Sequence, residues 1–458
     1  MSDKMQKIVS LCKRRGFIFQ TSEIYGGIEG FWELGPLGAL LKNNIKHLWL
    51  KKFVQERDDV YLIDGTAVQH PKTWSASGHL ESFTDPLVEC KNCHSRFRAD
   101  YMEDGRFKGQ GKAREKNQCP ECGSKEFARP RQFNLMFKTF VGPVEDEAHQ
   151  TYLRPETAQS MFVNFKNIQN SMRAKTPFGI AQIGRCFRNE ITTGNFTFRS
   201  REFDIAEIEY FVEPGKDEKA FEEWLDLWER FYLTLGLKKA NLRRYEHPKE
   251  GLAHYSKRTV DIEYKFPFGW SELAGVANRT DYDLSRHSKF SGEDLRYFDP
   301  ERTEEKKYFP YVIEPTLGIE RTMLAVLVDA YQTVKGGRTK TTQAVKEEEV
   351  VLALNKNIAP VKVAVLPLVR NKPELVKKAK EVYALLKPYF SCQYDEIGSI
   401  GRRYRRQDEC GTPFCLTCDF QTLKDNTLTI RDRDTMIQER VTTNELVEAL
   451  KEKLEQFN

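Results

Sequence analysis

No stretch of this chain stays apolar for the roughly 18 residues that a membrane span needs. Its start, MSDKMQKIVSLCKRRGF, has neither the apolar core nor the cleavage site of a signal peptide. Membrane insertion and export are therefore not expected, and the reading is of a cytoplasmic protein. Charge of one sign is also scarce: 72 Lys and Arg against 67 Asp and Glu leave a formal net charge of +5. That balance excludes a strongly polycationic protein without excluding local basic patches for RNA. Tandem repeats and low-complexity tracts are missing, and 40% hydrophobic with 30% charged residues describes a globular chain rather than a disordered one.

What is present suits two or three domains in 458 residues. Helical patterns cover 35–55, 155–170, 217–235 and 317–333, with strand-like runs between them. The lack of regular strand-helix alternation predicts an α+β domain on an antiparallel sheet. A polar, glycine-containing run, VKGGRTKTTQAVKEEE, marks a surface linker or insertion. Beyond it VKVAVLPLV reads as a buried strand, PELVKKAKEVYALLKPY as an amphipathic helix, and PFCLTCDF with TLTIRDRDTMIQERV as two strands and a turn, closed by a helix from Thr443. The expected division is 1–345, with a cysteine-containing insertion at about 86–130, then a linker at 346–360 and a small α/β domain at 361–458.

Ten cysteines in such a chain point to thiols or metal ligation before disulfides. Cys90 and Cys93 in CKNC, with Cys119 and Cys122 in CPECG, form two knuckles that each offer two thiolates to one tetrahedral ion. A structural zinc is favoured over four reduced thiols. Cys410, Cys415 and Cys418 read instead as small buried apolar side chains. His79, in SASGHL, is assigned no role.

The stretch RCFRNEITTGNFTFRSREFDIAEIEYF mixes arginines, acids and phenylalanines, and alternates in strand fashion on either side of TTGN. Arg188 has the planar fork that a phosphate wants. Glu190 falls on the same face of the strand and suits an exocyclic amine, and Phe203 offers a surface for a base. The competing reading is an ordinary ion-paired hairpin. Two further stretches shift the balance: a proline-led helix in WELGPLGALLKNNIKHLWLKKFV, and YVIEPTLGIERTMLAVLVDAY, where Arg321 heads an apolar helix.

In this order, the proline-led helix, FRNE and GIER resemble the three signature motifs of class II aminoacyl-tRNA synthetases. LRPETAQSMFVNF, FDIAEIEYF, SELAGVANRTDYDLSRH and VIEPTLGIER narrow the resemblance to the dimeric glycyl-tRNA synthetases, and SIGRRYRRQDECGTPFC is similar to their anticodon-binding domain. The resemblance covers nearly the whole chain. It implies a class II catalytic core on a mixed, mainly antiparallel sheet, an anticodon-binding domain after it, and a homodimer formed through the helix after Pro36. It also implies adenylation of glycine by ATP with Mg2+, then transfer to tRNA-Gly.

The same resemblance implies roles for single residues. Arg188 and Arg321 would be catalytic. Arg188, Asn189, Glu190, Phe198, Arg199, Arg201, Phe203, Glu272, Leu273, Gly318 and Arg321 would hold ATP, with Arg199 or Arg201 on the phosphates and Glu272 helping with Mg2+. Arg98, Glu156, Phe203, Glu207, Arg279, Glu314, Thr316 and Gly318 would surround glycine, threonine standing at 316 where serine is expected. Apart from the resemblance, RRYRRQ at 402–407 sets four arginines on one helix, which reads either as a solvated face or, in a domain placed after a catalytic core, as a grip on an RNA backbone. The rivals are a prolyl, threonyl or histidyl synthetase, and a non-catalytic synthetase-like module that binds nucleic acid. An acid-rich pocket argues against the first, and the intact set of arginines and acids against the second.

Overall fold

The structure is a computed structural model and describes residues 2–108, 110–303, 306–335, 338 and 348–455. Its centre is a seven-stranded sheet. The strands are β1 (Val60–Leu62), β2 (Phe178–Phe187), β3 (Glu202–Val212), β4 (Leu242–Glu246), β5 (Arg258–Phe266), β6 (Gly269–Thr280) and β7 (Tyr311–Gly318), in the spatial order β4-β5-β6-β7-β3-β2-β1. Only β1 runs parallel to its neighbour, and the rest of the sheet is antiparallel.

Alternation along β3 separates two faces. Ala206, Ile208, Tyr210 and Val212 join the main core with helices α1 (Asp3–Arg15), α2 (Pro36–Leu50), α3 (Asp217–Thr234) and α4 (Ile319–Ala330). Phe203, Ile205, Glu207 and Glu209 point to the other face, where the candidate site lies. The helices have visible causes. In α2, Pro36 occupies the first turn, where its missing N–H costs nothing, and Leu37, Leu41, Ile45 and Trp49 recur every fourth residue to form the buried stripe. Each such side chain contributes about 1.5–3 kcal/mol of burial before its ordering entropy is subtracted. Gly38 lets this helix approach closely, because a Cβ there would sit 1.9 Å from the Phe17 carbonyl oxygen. Helix α4 is buried nearly all round, which suits its continuous apolar run.

The second unit is a five-stranded sheet. Its strands are β8 (Val363–Pro367), β9 (Cys392–Tyr394), β10 (Phe414–Cys418), β11 (Thr427–Asp432) and β12 (Gln438–Thr442), in the order β9-β8-β10-β11-β12. It packs with helices α5 (Pro373–Leu386), α6 (Ile400–Cys410) and α7 (Leu446–Glu455). Cys410, Cys415 and Cys418 are buried there, as apolar packing requires. The polar run at 334–349 lies mostly outside the described residues. Within the span read as a linker, Glu348–Leu352 is a strand paired with Tyr331–Lys335, and Leu352, Leu354, Ile358 and Ala359 enter the main core. Their apolar side chains have somewhere to go that composition alone does not reveal.

Candidate active site

Strand β2 ends at Phe187, with Cys186 opposite Phe203 and Phe187 opposite Glu202. Arg188, Asn189 and Glu190 therefore lie in the loop beyond the strand, and the expectation of one continuous hairpin face is corrected. The chain turns away because the Asn189 N–H donates to the Leu135 carbonyl at 2.8 Å and the Glu190 N–H to that of Arg188 at 2.7 Å. Arg201 pins this turn. Its Nε and Nη2 donate to the Glu190 carbonyl at 3.1 and 2.9 Å, and its Nη1 to the Glu29 carbonyl at 2.6 Å. Between Arg199 and Arg201, the geometry thus leaves Arg199 facing the cleft and makes Arg201 a strut outside it.

The cleft itself holds about 630 Å3 including its open mouth, and is lined by Arg188, Glu190, Phe198, Arg199, Phe203, Glu272, Leu273, Thr316, Gly318 and Arg321. Arg188 is anchored at one corner by its Nε–H to the Pro155 carbonyl at 3.0 Å, and its guanidinium lies 5.5 Å from the Phe83 ring and 5.4 Å from the Phe203 ring. Arg199 Nη1 reaches Glu190 at 3.5 Å. Opposite them, Arg321 rests 4.5 Å from the Phe198 ring and pairs with Glu272 at 3.0 Å. That pairing holds the half-exposed Glu272 carboxyl below its ordinary range. Asn189 takes part only through the backbone bond already described. Below the cleft, Lys42 of α2 bonds Asp204 at 2.9 Å and also Glu320 of α4, tying the proline-led helix to the site.

At its inner end the cleft meets a cluster of acids. The register of β3 on β7 sets Glu207 opposite Thr316, which lines the cleft. Glu207 accepts from the Thr157 N–H at 3.0 Å and from the Thr157 hydroxyl. Arg279 sits where the register of β6 on β7 slips between Asn278 and Thr280, and Thr280 adopts a left-handed φ of 53°. Such a bulge re-aims the side chain. Arg279 donates to both oxygens of Asp283 at 2.7 and 3.0 Å and to Glu314, and lies 3.8 Å from the Tyr255 ring. Glu156 completes the group, held by His79 at 3.3 Å and by the Gln159 amide at 2.9 Å.

These acids differ in character. Burial works against charge on Glu156, but His79, Arg279 and Gln159 overcome it and hold the carboxyl well below the usual range. Glu207 is raised by burial and by Glu156, with the Thr157 bonds in opposition. Glu314 is pushed up to about 8 by burial, which Arg279 offsets only in part, with Glu207 and Glu156 adding to the rise. Two carboxylates at close quarters resist joint ionisation. A pocket of this kind is poised for a cation.

The sequence alone does not single out Asp283, Gln159 or Glu209, and His79, without a role in sequence, gains Glu156 as a partner. Asp283 carried a signal, four residues after Arg279 in NRTDYD. Arg98, by contrast, is not brought into the cluster. It donates to both oxygens of Asp100 at 3.1 and 2.8 Å and pairs with Asp85, on a small sheet formed by Thr84–Glu89, Arg96–Arg98 and Arg131–Asn134. Beside that sheet the sulfurs of Cys90, Cys93, Cys119 and Cys122 all lie within 4.8 Å of one another. The closest pairs, Cys90–Cys122 at 3.6 Å and Cys93–Cys119 at 3.5 Å, are too far apart for a disulfide. Tetrahedral zinc with Zn–S of about 2.3 Å spaces its sulfurs by about 3.8 Å, so the set fits that ion.

The arginine run of α6 is less exposed than a fully solvated face would be. Arg403 is buried, donating to the carbonyls of Gly398 and Pro367. Arg406 binds Asp395 at 2.6 Å and Arg405 pairs with Glu349 at 3.7 Å. Only Arg402 is exposed, so the run is mostly scaffold rather than a basic face.

The geometry agrees with what the chain is similar to. Residues 137–330 match the class II tRNA synthetase core domain for the G, H, P, S and T group, and residues 362–453 match the anticodon binding domain. The glycine–tRNA ligase of Thermobifida fusca is 51% identical over 99% of this chain and 98% of its own length. That of Streptomyces coelicolor is 52% identical over 97% of each, and that of Geobacillus kaustophilus 50% identical over 99% and 100%. With an arginine-lined cleft, an acid pocket at its inner end and full-length similarity of this degree, the chain belongs to the glycine–tRNA ligase family.

Proposed function

We propose that this chain is a glycine–tRNA ligase that activates glycine with ATP to glycyl-adenylate and pyrophosphate, then transfers the glycyl group to the 3′ end of tRNA-Gly. The observation that carries the reading is the junction at Thr316, where the arginine cleft and the acid pocket meet. A glycine ammonium held by Glu156, Glu207 and Glu314 puts its own carboxylate beside the α-phosphate. That carboxylate is the nucleophile, so no protein base is needed. Arg188 would hold the α-phosphate, and Arg199 and Arg321 the outer phosphates or adenine face. Glu190 and Phe203 would read and stack the base. Fixed cations stabilise the charge that develops at phosphorus without reorganising during the step.

Mg2+ fits one exposed, ionised carboxylate together with substrate phosphates, and Glu272 is such a group. When bound it supplies charge neutralisation on the phosphates. The cysteine cluster would hold a structural zinc. The C-terminal unit would bind the anticodon, and a homodimer in the cytoplasm completes the reading.

Glycine-dependent ATP–pyrophosphate exchange tests the function. Exchange with glycine, with alanine and serine lower in kcat/KM by at least about 10²-fold, is the expected result. Exchange driven equally well by proline, threonine or histidine, or none with glycine, overturns it. The zinc reading has its own test. Metal analysis should find one zinc per chain, and Cys119→Ser should lose it and lower Tm by about 1 °C per kcal/mol lost, the scale set by the unfolding entropy of a chain this long. Metal-free wild type with unchanged Tm would remove zinc from the account.

A further inference from the structure

One buried acid is used by none of the steps above. Glu209 is fully buried, and among the described residues neither of its oxygens has a hydrogen-bond partner. It follows Glu207 on the same face of β3. The register pairs Glu207 with Thr316 and Tyr210 with Ile313, and so sets Glu209 opposite Glu314, while across β2 it faces apolar Ile180. Carboxylate oxygens of Glu207, Glu209 and Glu314 all lie within 4.8 Å of one another. The nearby cation is Arg279, whose N–H groups go to Asp283 and Glu314.

An ionised carboxylate in that position would be buried, unsolvated and close to the acids Glu207, Glu314 and Asp283. Uncompensated burial of an ion costs many kcal/mol, and groups so placed neutralise instead. Burial, followed by Glu314, pushes Glu209 well above the ordinary range, in the same direction. A neutral carboxylic acid differs from a carboxylate in having one O–H to give. The acceptor within reach on the facing strand is Glu314.

We propose that Glu209 is a positioning residue of the glycine pocket, a neutral carboxylic acid whose O–H is donated to the Glu314 carboxylate once the glycine ammonium has entered. This rests on the glycine–tRNA ligase reading. In the empty pocket Glu314 is turned to Arg279. When the ammonium draws Glu314 into its charged form, the Glu209 hydroxyl supplies the second donor that fixes the carboxylate's orientation. The arrangement adds a hydrogen bond behind the pocket without adding a negative charge to it.

Two substitutions in the full-length protein separate the possibilities. Gln at 209 keeps a neutral donor, so Glu209→Gln should leave the glycine KM within about threefold of the parent. Glu209→Leu fills the space with no donor and should raise the glycine KM by about tenfold or more, with the ATP KM unchanged, as expected for a lost hydrogen bond to a charged group. If Gln costs as much as Leu, the residue acts as a charge and the proposal fails. If Leu behaves like the parent, it is only packing and the proposal fails equally. Infrared difference spectra of wild type against Glu209→Gln, recorded with glycine bound, should show the carbonyl stretch of a buried carboxylic acid that the variant lacks. Its absence overturns the proposal even should the Leu variant not fold. Exchange by the wild type with glycine tests the underlying reading independently of these comparisons.

Discussion

Arg188→Ala should lower kcat for glycine-dependent pyrophosphate exchange by about 10³-fold and leave the glycine KM within about threefold, as expected for a group that binds the transition state more tightly than the ground state. The reason lies in how the side chain is held. Its Nε–H is committed to the Pro155 carbonyl at 3.0 Å, and Phe83 and Phe203 flank the guanidinium at 5.5 and 5.4 Å. The fork is therefore oriented before ATP arrives. Arg188→Lys should recover little of the loss, because an ammonium cannot both hold Pro155 and present a fork. Single-turnover adenylate formation at saturating ATP measures the effect. A rise in ATP KM with kcat intact would show uniform ATP binding and remove Arg188 from the chemical step.

FRNE draws attention to Arg188 in the sequence, but the means of holding its side chain are not visible there. Phe83 lies about a hundred residues away, and Pro155 reaches it only because the chain after β2 leaves the sheet. The same limit explains Arg201. Two arginines flanking Ser200 look equivalent in sequence, and only the closing of the loop onto the Glu29 and Glu190 carbonyls sends one of them out of the cleft.

Local motifs with fixed spacing were legible: the proline-led helix, the two cysteine knuckles, and the Glu-containing runs at 156, 207 and 314. Features set by register were not. Asp283 becomes a partner because a bulge swings Arg279 toward the start of Tyr282–Ser291, and Glu209 becomes a neighbour of Glu314 only across paired strands. The internal partners of RRYRRQ are hidden from sequence for a related reason. Helical periodicity turns Arg403 inward, where carbonyls of Gly398 and Pro367 await it, and composition cannot distinguish such an arginine from a solvated one.

Glu314→Gln should raise the glycine KM by about 10²-fold, the scale of removing one partner of a buried charge pair, while the ATP KM moves by less than about threefold. The substitution keeps shape and removes the charge that Glu314 would offer the ammonium together with its ion pair to Arg279, so equal changes in both constants would sink the assignment. The pH dependence is the sharper test. Glu314 is raised to about 8, chiefly by burial, so below that pH it begins protonated. An ammonium beside it favours the ionised form, and glycine binding must then release a proton. The sign follows: the wild-type glycine KM rises as pH falls below about 8, by at most about tenfold per unit, and levels off above it. In Glu314→Gln that slope should vanish while the ATP KM keeps its own profile. A wild-type glycine KM that is flat between pH 6 and 8 would mean that Glu314 is already ionised in the free protein, its charge satisfied by Arg279 alone. Glu314 would then meet the ammonium as a carboxylate from the start, and the loss in Glu314→Gln alone would measure the worth of its charge.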